Sequence, residues 1–374
     1  MTLTPIADNT NMSTPTFDLT TQVYSPENSN IQYTGRIDFS NPQEPKFSAP
    51  SVIIQARFCG VSATVLLEDE FRWGTYRNYF DVLIDGVAVL KLAPQKSVTR
   101  YAVVANLPDG EHTIAIVKRT EASVGYTKFL GFEFAGEILP APARPARRIE
   151  VIGDSISCGS GNEALNESPQ CLEDGWGQPY CNARLAYGPV LARKLNAEFH
   201  LTAVSGIGLV RNYSFQFDSR PLPDVYDLLF VEHVFSPRWD HTKFIPDAVV
   251  VALGSNDFSP GESERCLLSQ DVFVRAYTEL VQKLRSYYPD AHIFCISSPM
   301  LHDGWPEETN QFATDLVQSV TKVADEFNKN GDAKVHKFLV KAINGTGCGT
   351  HPGVEQHADT ANELEPFIAT VMGW

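Results

Sequence analysis

From about Ile31 to Leu139 the apolar residues fall in short runs: VIIQARF (52–58), ATVLL (63–67), YFDVLI (79–84), VAVLKL (87–92), RYAVVAN (100–106), HTIAIVK (112–118) and FLGFEF (129–134). Turn signals separate several of them, notably Asp85-Gly86, which suits a type I′ hairpin, and Pro108-Asp109-Gly110. Short strands in succession without a helical repeat predict an all-β sandwich or jelly roll. The residues before them, 1–30, are polar and rich in Thr, Asn, Ser and Pro, and read as a tail or a loosely docked arm.

The pattern changes at ILPAPARPARR (138–148), whose three prolines make a stiff, extended linker. Beyond it, strands alternate with helices. IEVI (149–152), FHLTAV (199–204), AVVVAL (248–253), HIFCIS (292–297) and VHKFLV (335–340) are strand candidates. Helices are predicted over 187–197, 272–288, 312–328 and roughly 353–372; in the third, Phe312, Leu316, Val320, Val323 and Phe327 form one apolar stripe. Five apolar strands with intervening helices predict a parallel sheet covered on both faces. The expected organisation is a polar tail (1–30), a β-sandwich domain (31–139), a linker (140–148) and an α/β domain (149–374).

Composition narrows the function. The chain has 374 residues, 43% of them apolar, enough for a substantial core. A net charge of −15 disfavours nucleic acid and anionic lipid as partners. The densest apolar run, Ala248 to Leu253, is far short of the roughly 18 residues of a membrane helix. Seven cysteines leave at least one without an intrachain partner, and no CxxC suggests zinc. Cys171 and Cys181 bracket the turn-rich CLEDGWGQPYC and are the pair expected to close in an oxidising compartment; Cys59 and Cys295 lie in strand-like runs and read as buried thiols. The first residues lack the basic and apolar stretches of a signal peptide, which fits either a cytosolic start or a matured form.

In open α/β sheets ligands collect beyond the carboxyl ends of the strands. Gly153-Asp154-Ser155 follows IEVI, Ser205-Gly206-Ile207-Gly208 follows FHLTAV, Gly254-Ser255-Asn256-Asp257 follows AVVVAL, and a glycine-rich loop after VHKFLV leads to His351-Pro352-Gly353. One mechanism uses all four. The Ser155 hydroxyl is a poor nucleophile without a base, which His351 supplies. The Ser155 and Gly206 amides and the Asn256 side chain would hold the oxyanion of acyl transfer, each donor worth about 3–4 kcal/mol. Each piece alone has an ordinary reading as a turn or a helix cap; their arrival at successive strand ends is what carries the assignment. Asp154 reads as a turn residue bonding the backbone, Asp257 as a partner of the Ser155 turn, and His302 as the rival base. Trp305, Trp176 and Trp239 are candidate sugar platforms, each weighed against core packing. Arg211 and Asn212 are candidates to line the cleft, a structural salt bridge being an equal reading for the arginine.

Through Ser155, Gly206, Asn256 and His351 the chain resembles the SGNH (GDSL-like) hydrolases. With its β-sandwich in front, and through YTGRIDFS (33–40), HTIAIVKRTEASVGYTKFLGFEF (112–134), GDSISCGSGNE (153–163), AYGPVLARKLNAEFH (186–200) and SGIGLVRNY (205–213), it is similar to carbohydrate esterase family 2. The resemblance implies a jelly-roll domain beside a flavodoxin-like catalytic domain, hydrolysis of O-acetyl esters on polysaccharides such as xylan or glucomannan or on their oligosaccharides, and no cofactor or metal. A secreted or periplasmic monomer is expected. Lipid or thioester acyl groups, and a purely carbohydrate-binding role, are the rival readings. Two departures stand out. Cys348 occupies the place, three residues before the histidine, where the superfamily has an acid; a Ser–His dyad with a backbone carbonyl from the Asn344–Cys348 loop holding the ring is expected instead, the alternative being an acid from elsewhere in the chain, for which no candidate stands out. Thr350 stands where some members carry an aromatic residue.

Overall fold

The computed structural model describes residues 21–74, 76–166, 168–169, 171, 178–213, 220–231, 235–261 and 266–374. Its N-terminal part is an antiparallel sheet of β1 (Thr21–Tyr24), β2 (Gln32–Thr34), β3 (Lys46–Phe47), β4 (Ile53–Asp69), β5 (Phe80–Ile84), β6 (Val87–Leu92), β7 (Arg100–Val104), β8 (Glu111–Lys118) and β9 (Thr127–Leu139). VIIQARF and ATVLL, expected as separate strands, belong to one 17-residue strand, β4. It stays continuous through an irregularity beside Gly60, which pairs with Gly136 of β9. The two glycines take φ +154° and +144°, and a Cβ on either would sit about 2 Å from the opposing carbonyl oxygen, 2.1 Å at Gly60 and 1.9 Å at Gly136. Only glycines allow this bend. Before it β4 pairs with β8, after it with β7, as a strand does when it passes between the layers of a sandwich. Alternate residues of β4, among them Ile54, Phe58, Val65 and Leu67, join Phe80, Phe129, Phe132 and Phe134 in the core.

The polar start is not all tail. Thr21–Tyr24 adds to β9 with Thr21 opposite Ala135. Three of these four residues are exposed, so backbone pairing carries the strand and no apolar pattern announces it.

The C-terminal sheet is wholly parallel. It contains β10 (Arg147–Gly153), β11 (Ala197–Ala203), β12 (Ala248–Ala252), β13 (His292–Ile296) and β14 (Val335–Phe338), in the order β11-β10-β12-β13-β14. Helices Tyr187–Lys194 and Val354–Met372 cover one face through Leu191, Leu364 and Ile368. Helices Gln270–Tyr287 and Phe312–Lys329 cover the other through Tyr277, Leu280, Leu316 and Val320. The order reverses at β10, whose two neighbours, β11 and β12, both follow it in sequence. In such sheets the crevice opens at this switch point, and Ser155 comes two residues after β10 ends.

The N-terminal domain covers the β11 edge. Every residue of β11 is buried, the polar Glu198, His200 and Thr202 included. The Gly35 amide donates to His200 Nε2 (3.2 Å), and Arg144 pairs with Glu198. Arg36, 2% exposed, crosses to the C-terminal domain and donates to the carbonyls of Tyr226 (2.6 Å) and Leu228 (2.7 Å), with Glu150 at 3.4 Å.

Candidate active site

The turn after β10 is built for close quarters. A Cβ on Gly153 would lie 2.0 Å from Ser157 Oγ. The next side chain, Asp154, accepts the Ile156 amide (3.0 Å) and caps the single helical turn Ser155–Cys158. The cap leaves Ser155 at the mouth of the crevice. Its Oγ lies 2.8 Å from His351 Nε2, across 196 residues of chain.

The other ring nitrogen, Nδ1, is 2.9 Å from the Cys348 carbonyl oxygen. A carbonyl can only accept, so Nδ1 carries the proton and Nε2 is left to take one from the serine. Burial lowers the His351 pKa, against the hydrogen bonds from the ring to the Cys348 and Gly349 backbone, which raise it. The ring is therefore neutral, and basic, at neutral pH.

Cys348 is fixed from two sides. Its amide donates to the Gly161 carbonyl (3.1 Å), and its sulfur is bonded to Cys171. Gly161 is required at this contact: its φ is +58°, and a Cβ there would meet Cys348 Cβ at 2.3 Å. The disulfide is thus not the expected Cys171–Cys181 pair. Cys181 is buried beneath the same turn, accepts the Gly161 amide on its sulfur (3.2 Å), and has its thiol pushed up to about 12 by burial. The histidine loop, 177 residues downstream, brings Cys348 to Cys171 instead.

The remaining pieces come from β11 and β12. Gly206 takes φ +74° and its carbonyl accepts the Tyr213 amide (2.8 Å). Asn256, in the turn Ser255–Phe258, donates from Nδ2 to the Ile207 carbonyl (2.7 Å) and stands 3.5 Å from Asp154 Oδ2. One proton of this amide therefore holds the Gly206 loop, and the second, only at the limit of reach of Asp154, is the one an oxyanion would take.

Asp257 does not bond the Ser155 turn. It accepts the amides of Leu209 (2.9 Å), Val210 (2.7 Å) and Arg211 (3.1 Å), which close the loop after Gly206. Asp154 and Asp257 are both buried, and burial, with Asp257 nearby, pushes the Asp154 carboxyl up to about 7.

The other candidates divide. Arg211 donates from Nε to the Asp257 carbonyl (2.7 Å) and from Nη1 to the Cys266 carbonyl (2.7 Å), so its guanidinium ties two loops together. Asn212 accepts the Gly208 amide (2.9 Å). His302 Nε2 meets the Ile343 carbonyl (3.0 Å), bracing the loop that leads to His351, and His351 holds the place beside the serine. Trp239 is buried against His200 and Arg36 and offers no face to a sugar. Trp305 is 61% exposed. Trp176 lies outside the described residues. No group of three or more His, Cys, Asp or Glu that could hold a metal ion occurs among the described residues. The arrangement has the parts of acyl transfer: a hydroxyl, a neutral imidazole oriented through its far nitrogen, and polar groups on neighbouring strand ends.

No motif in the sequence marks what fixes the histidine loop. The available signal was CGTH itself, a cysteine in a glycine-rich loop three residues before the candidate base; its partner could not be read locally.

Comparison with known proteins identifies relatives of both domains. Residues 33–142 match the model of the carbohydrate esterase 2 N-terminal domain, and residues 151–358 that of the GDSL-like lipase/acylhydrolase family. The chain is 35% identical over 354 residues to the cellulase/esterase CelE of Acetivibrio thermocellus, covering 93% of this chain but only 40% of that protein. It is 28% identical to an acetylxylan esterase / glucomannan deacetylase of Cellvibrio japonicus, covering 92% of this chain and 89% of that one. A family two carbohydrate esterase from Clostridium thermocellum, solved in complex with cellohexaose, superposes with a TM-score of 0.81 at 33% identity, over 92% of this chain and 99% of that one.

Proposed function

The chain belongs to carbohydrate esterase family 2, and from that premise we propose that it removes acetyl groups from plant cell-wall polysaccharides or their oligosaccharides through an acetyl-enzyme. Ser155 Oγ attacks the acetyl carbonyl while His351 Nε2 takes its proton. The tetrahedral oxyanion is held by the Ser155 and Gly206 amides and by Asn256. Collapse expels the sugar oxygen, which takes the proton back from the imidazole. Water, deprotonated by the same nitrogen, then attacks the acetyl ester on Ser155 and releases acetate. The Cys348 carbonyl takes the orienting place an acidic residue would have. The chain of contacts from Ser155 through His351 to Cys348, at 2.8 and 2.9 Å, is the observation that carries this reading.

Substrate class comes from the relatives, named for acetylxylan and glucomannan, and this favours polysaccharide acetyl esters over lipid or thioester substrates and over a purely binding role. We assign Trp305 as a sugar platform because so large an exposed aromatic beyond the end of β13 offers a flat apolar face. A disulfide beside the site suits an oxidising compartment, so the protein acts in the secreted or periplasmic space. Among the described residues no helix is long and apolar enough to cross a membrane.

The test is acetate release from acetylated glucomannan and xylan, set beside 4-nitrophenyl acetate and a longer-chain 4-nitrophenyl ester. Rapid release from a polysaccharide, with weak activity on the longer chain, is expected. Trp305→Ala should raise KM on the polymer and leave KM for 4-nitrophenyl acetate unchanged. Preference for the longer acyl chain would overturn the substrate assignment.

A further inference from the structure

The segment that leaves β8, Lys118-Arg119-Thr120-Glu121, crosses from the N-terminal domain to the floor of the site. Lys118 is fully buried, and its ammonium donates to the carbonyls of Thr120 (2.7 Å) and Glu121 (2.8 Å), which fixes the turn. Arg119 pairs with Asp81 of its own domain (2.7 Å) and with Glu163 of the other, while its carbonyl accepts the Ala183 amide (2.9 Å). These contacts deliver Glu121 to a defined place.

That place is the junction of the site's loops. Glu121 is 8% exposed and accepts a hydrogen bond from Ser160 Oγ. Ser160 Oγ is 3.2 Å from Ser205 Oγ, and the Ser205 hydroxyl and amide also favour the charged form of Glu121. Among the described residues its Oε2 makes no hydrogen bond of ordinary geometry. Ser160 donates its amide to the Ser155 carbonyl (3.1 Å), and Ser205 directly precedes Gly206. The residue after Ser160 is Gly161, whose carbonyl holds the Cys348 amide.

We propose that Glu121 of the N-terminal domain is a positioning residue of the active site: it sets the Ser155 turn against the Gly206 loop, so that the β domain completes the catalytic centre. The proposal rests on the esterase reading above. A carboxylate only accepts, so it takes the Ser160 O–H and leaves Ser160 Oγ to accept from the Ser205 hydroxyl, which orders the pair and fixes its spacing. Two hydroxyls alone would satisfy each other in several arrangements. Burying a carboxylate is costly, and burial raises the Glu121 pKa even with Ser160, Ser205 and Lys118 supporting its charge. The return on that cost is the relative placement of nucleophile and oxyanion donor.

The experiment measures kcat and KM on 4-nitrophenyl acetate, with thermal unfolding as the control, for the wild type, Ser155→Ala, Glu121→Ala, Glu121→Gln, Ser205→Ala and the Glu121→Ala/Ser205→Ala double variant. Glu121→Ala should lower kcat about tenfold or more with KM within about twofold, inside the ~10²-fold that a misplacement of ~1 Å can cost. Glu121→Gln keeps an acceptor for Ser160 and should recover much of the loss. Ser205→Ala should lower kcat in the wild type but add little in the Glu121→Ala background, where the tie is already gone. A folded Glu121→Ala enzyme with wild-type kcat, or fully additive losses, would overturn the proposal. If Glu121→Ala does not fold, Ser205→Ala decides: reduced kcat at unchanged KM supports the proposal and wild-type kcat overturns it. Retained activity in Ser155→Ala would remove the esterase reading and the Glu121 role together. An inactive Ser155→Ala beside an unimpaired Glu121→Ala would remove only the latter.

Discussion

As the proposed base, His351 can act only while its Nε2 is unprotonated, and the environment acts on that proton directly. Burial lowers its pKa below the ordinary 6.5, so the base survives as pH falls through 6.5 and is lost only beneath it. The acid limb of kcat/KM should therefore have its midpoint below 6.5, as read from a pH–rate profile on 4-nitrophenyl acetate. A midpoint above 7 would mean that another group governs the rate. Asp154 is the rival, because burial pushes its carboxyl up to about 7; the limb should persist in Asp154→Asn. The residues that the fold brings together at the candidate site were legible in the sequence because each follows a strand, as Ser155 follows IEVI. Arg211 and Trp239 show where that legibility ends. An arginine on a cleft loop and an arginine clamping two carbonyls look alike in a string of residues, and only packing separates an exposed indole from a buried one.

The loop Gly347–His351 is irregular, with Gly349 and Thr350 at φ +59° and +61°. Its shape depends on what holds Cys348: the Gly161 carbonyl and the bond to Cys171. Releasing the sulfur should let the Cys348 carbonyl drift from Nδ1. Cys171→Ser, or reduction of the wild type with dithiothreitol, should lower kcat several-fold, while the serine variant ignores the reductant. Stability should fall as well, by up to about 5 kcal/mol in the chain-entropy view of so long a closed loop. Unchanged kcat after verified reduction would show that Gly161 alone suffices. Most strands of both sheets were readable from apolar runs and turn signals; Gln32–Thr34 and Lys46–Phe47 are too short to leave such a run, and Val87–Leu92, though apolar, buries only Leu92. The disulfide, the continuity of β4 and the β1 pairing were not readable. They depend on groups that meet only after folding: Gly60 against Gly136, Thr21 against Ala135, Cys171 against Cys348.

The two domains form a joined molecule. Arg36 is buried between the Tyr226 and Trp239 rings, 5.1 and 5.5 Å from their centres, and faces Glu150. Tyr226 Oη also donates to Glu150 (2.8 Å). Removing Arg36 leaves a buried carboxylate without its cation, so Arg36→Ala should cost about 3–5 kcal/mol in denaturant unfolding. A loss under about 1 kcal/mol, the worth of an exposed pair, would contradict a joined interface. The linker was legible from its prolines. The interface was not, because Arg36 in YTGRIDFS has nothing beside it in sequence that marks it as buried.

In the proposed reaction the acetyl group passes through Ser155 with His351 as its base. Rapid-quench mass spectrometry of the enzyme with 4-nitrophenyl acetate tests it most directly. An acetyl group on Ser155 in the wild type, absent from Ser155→Ala and formed far more slowly in folded His351→Ala, is the predicted result. Turnover of the ester by Ser155→Ala at a rate near that of the wild type would contradict the account.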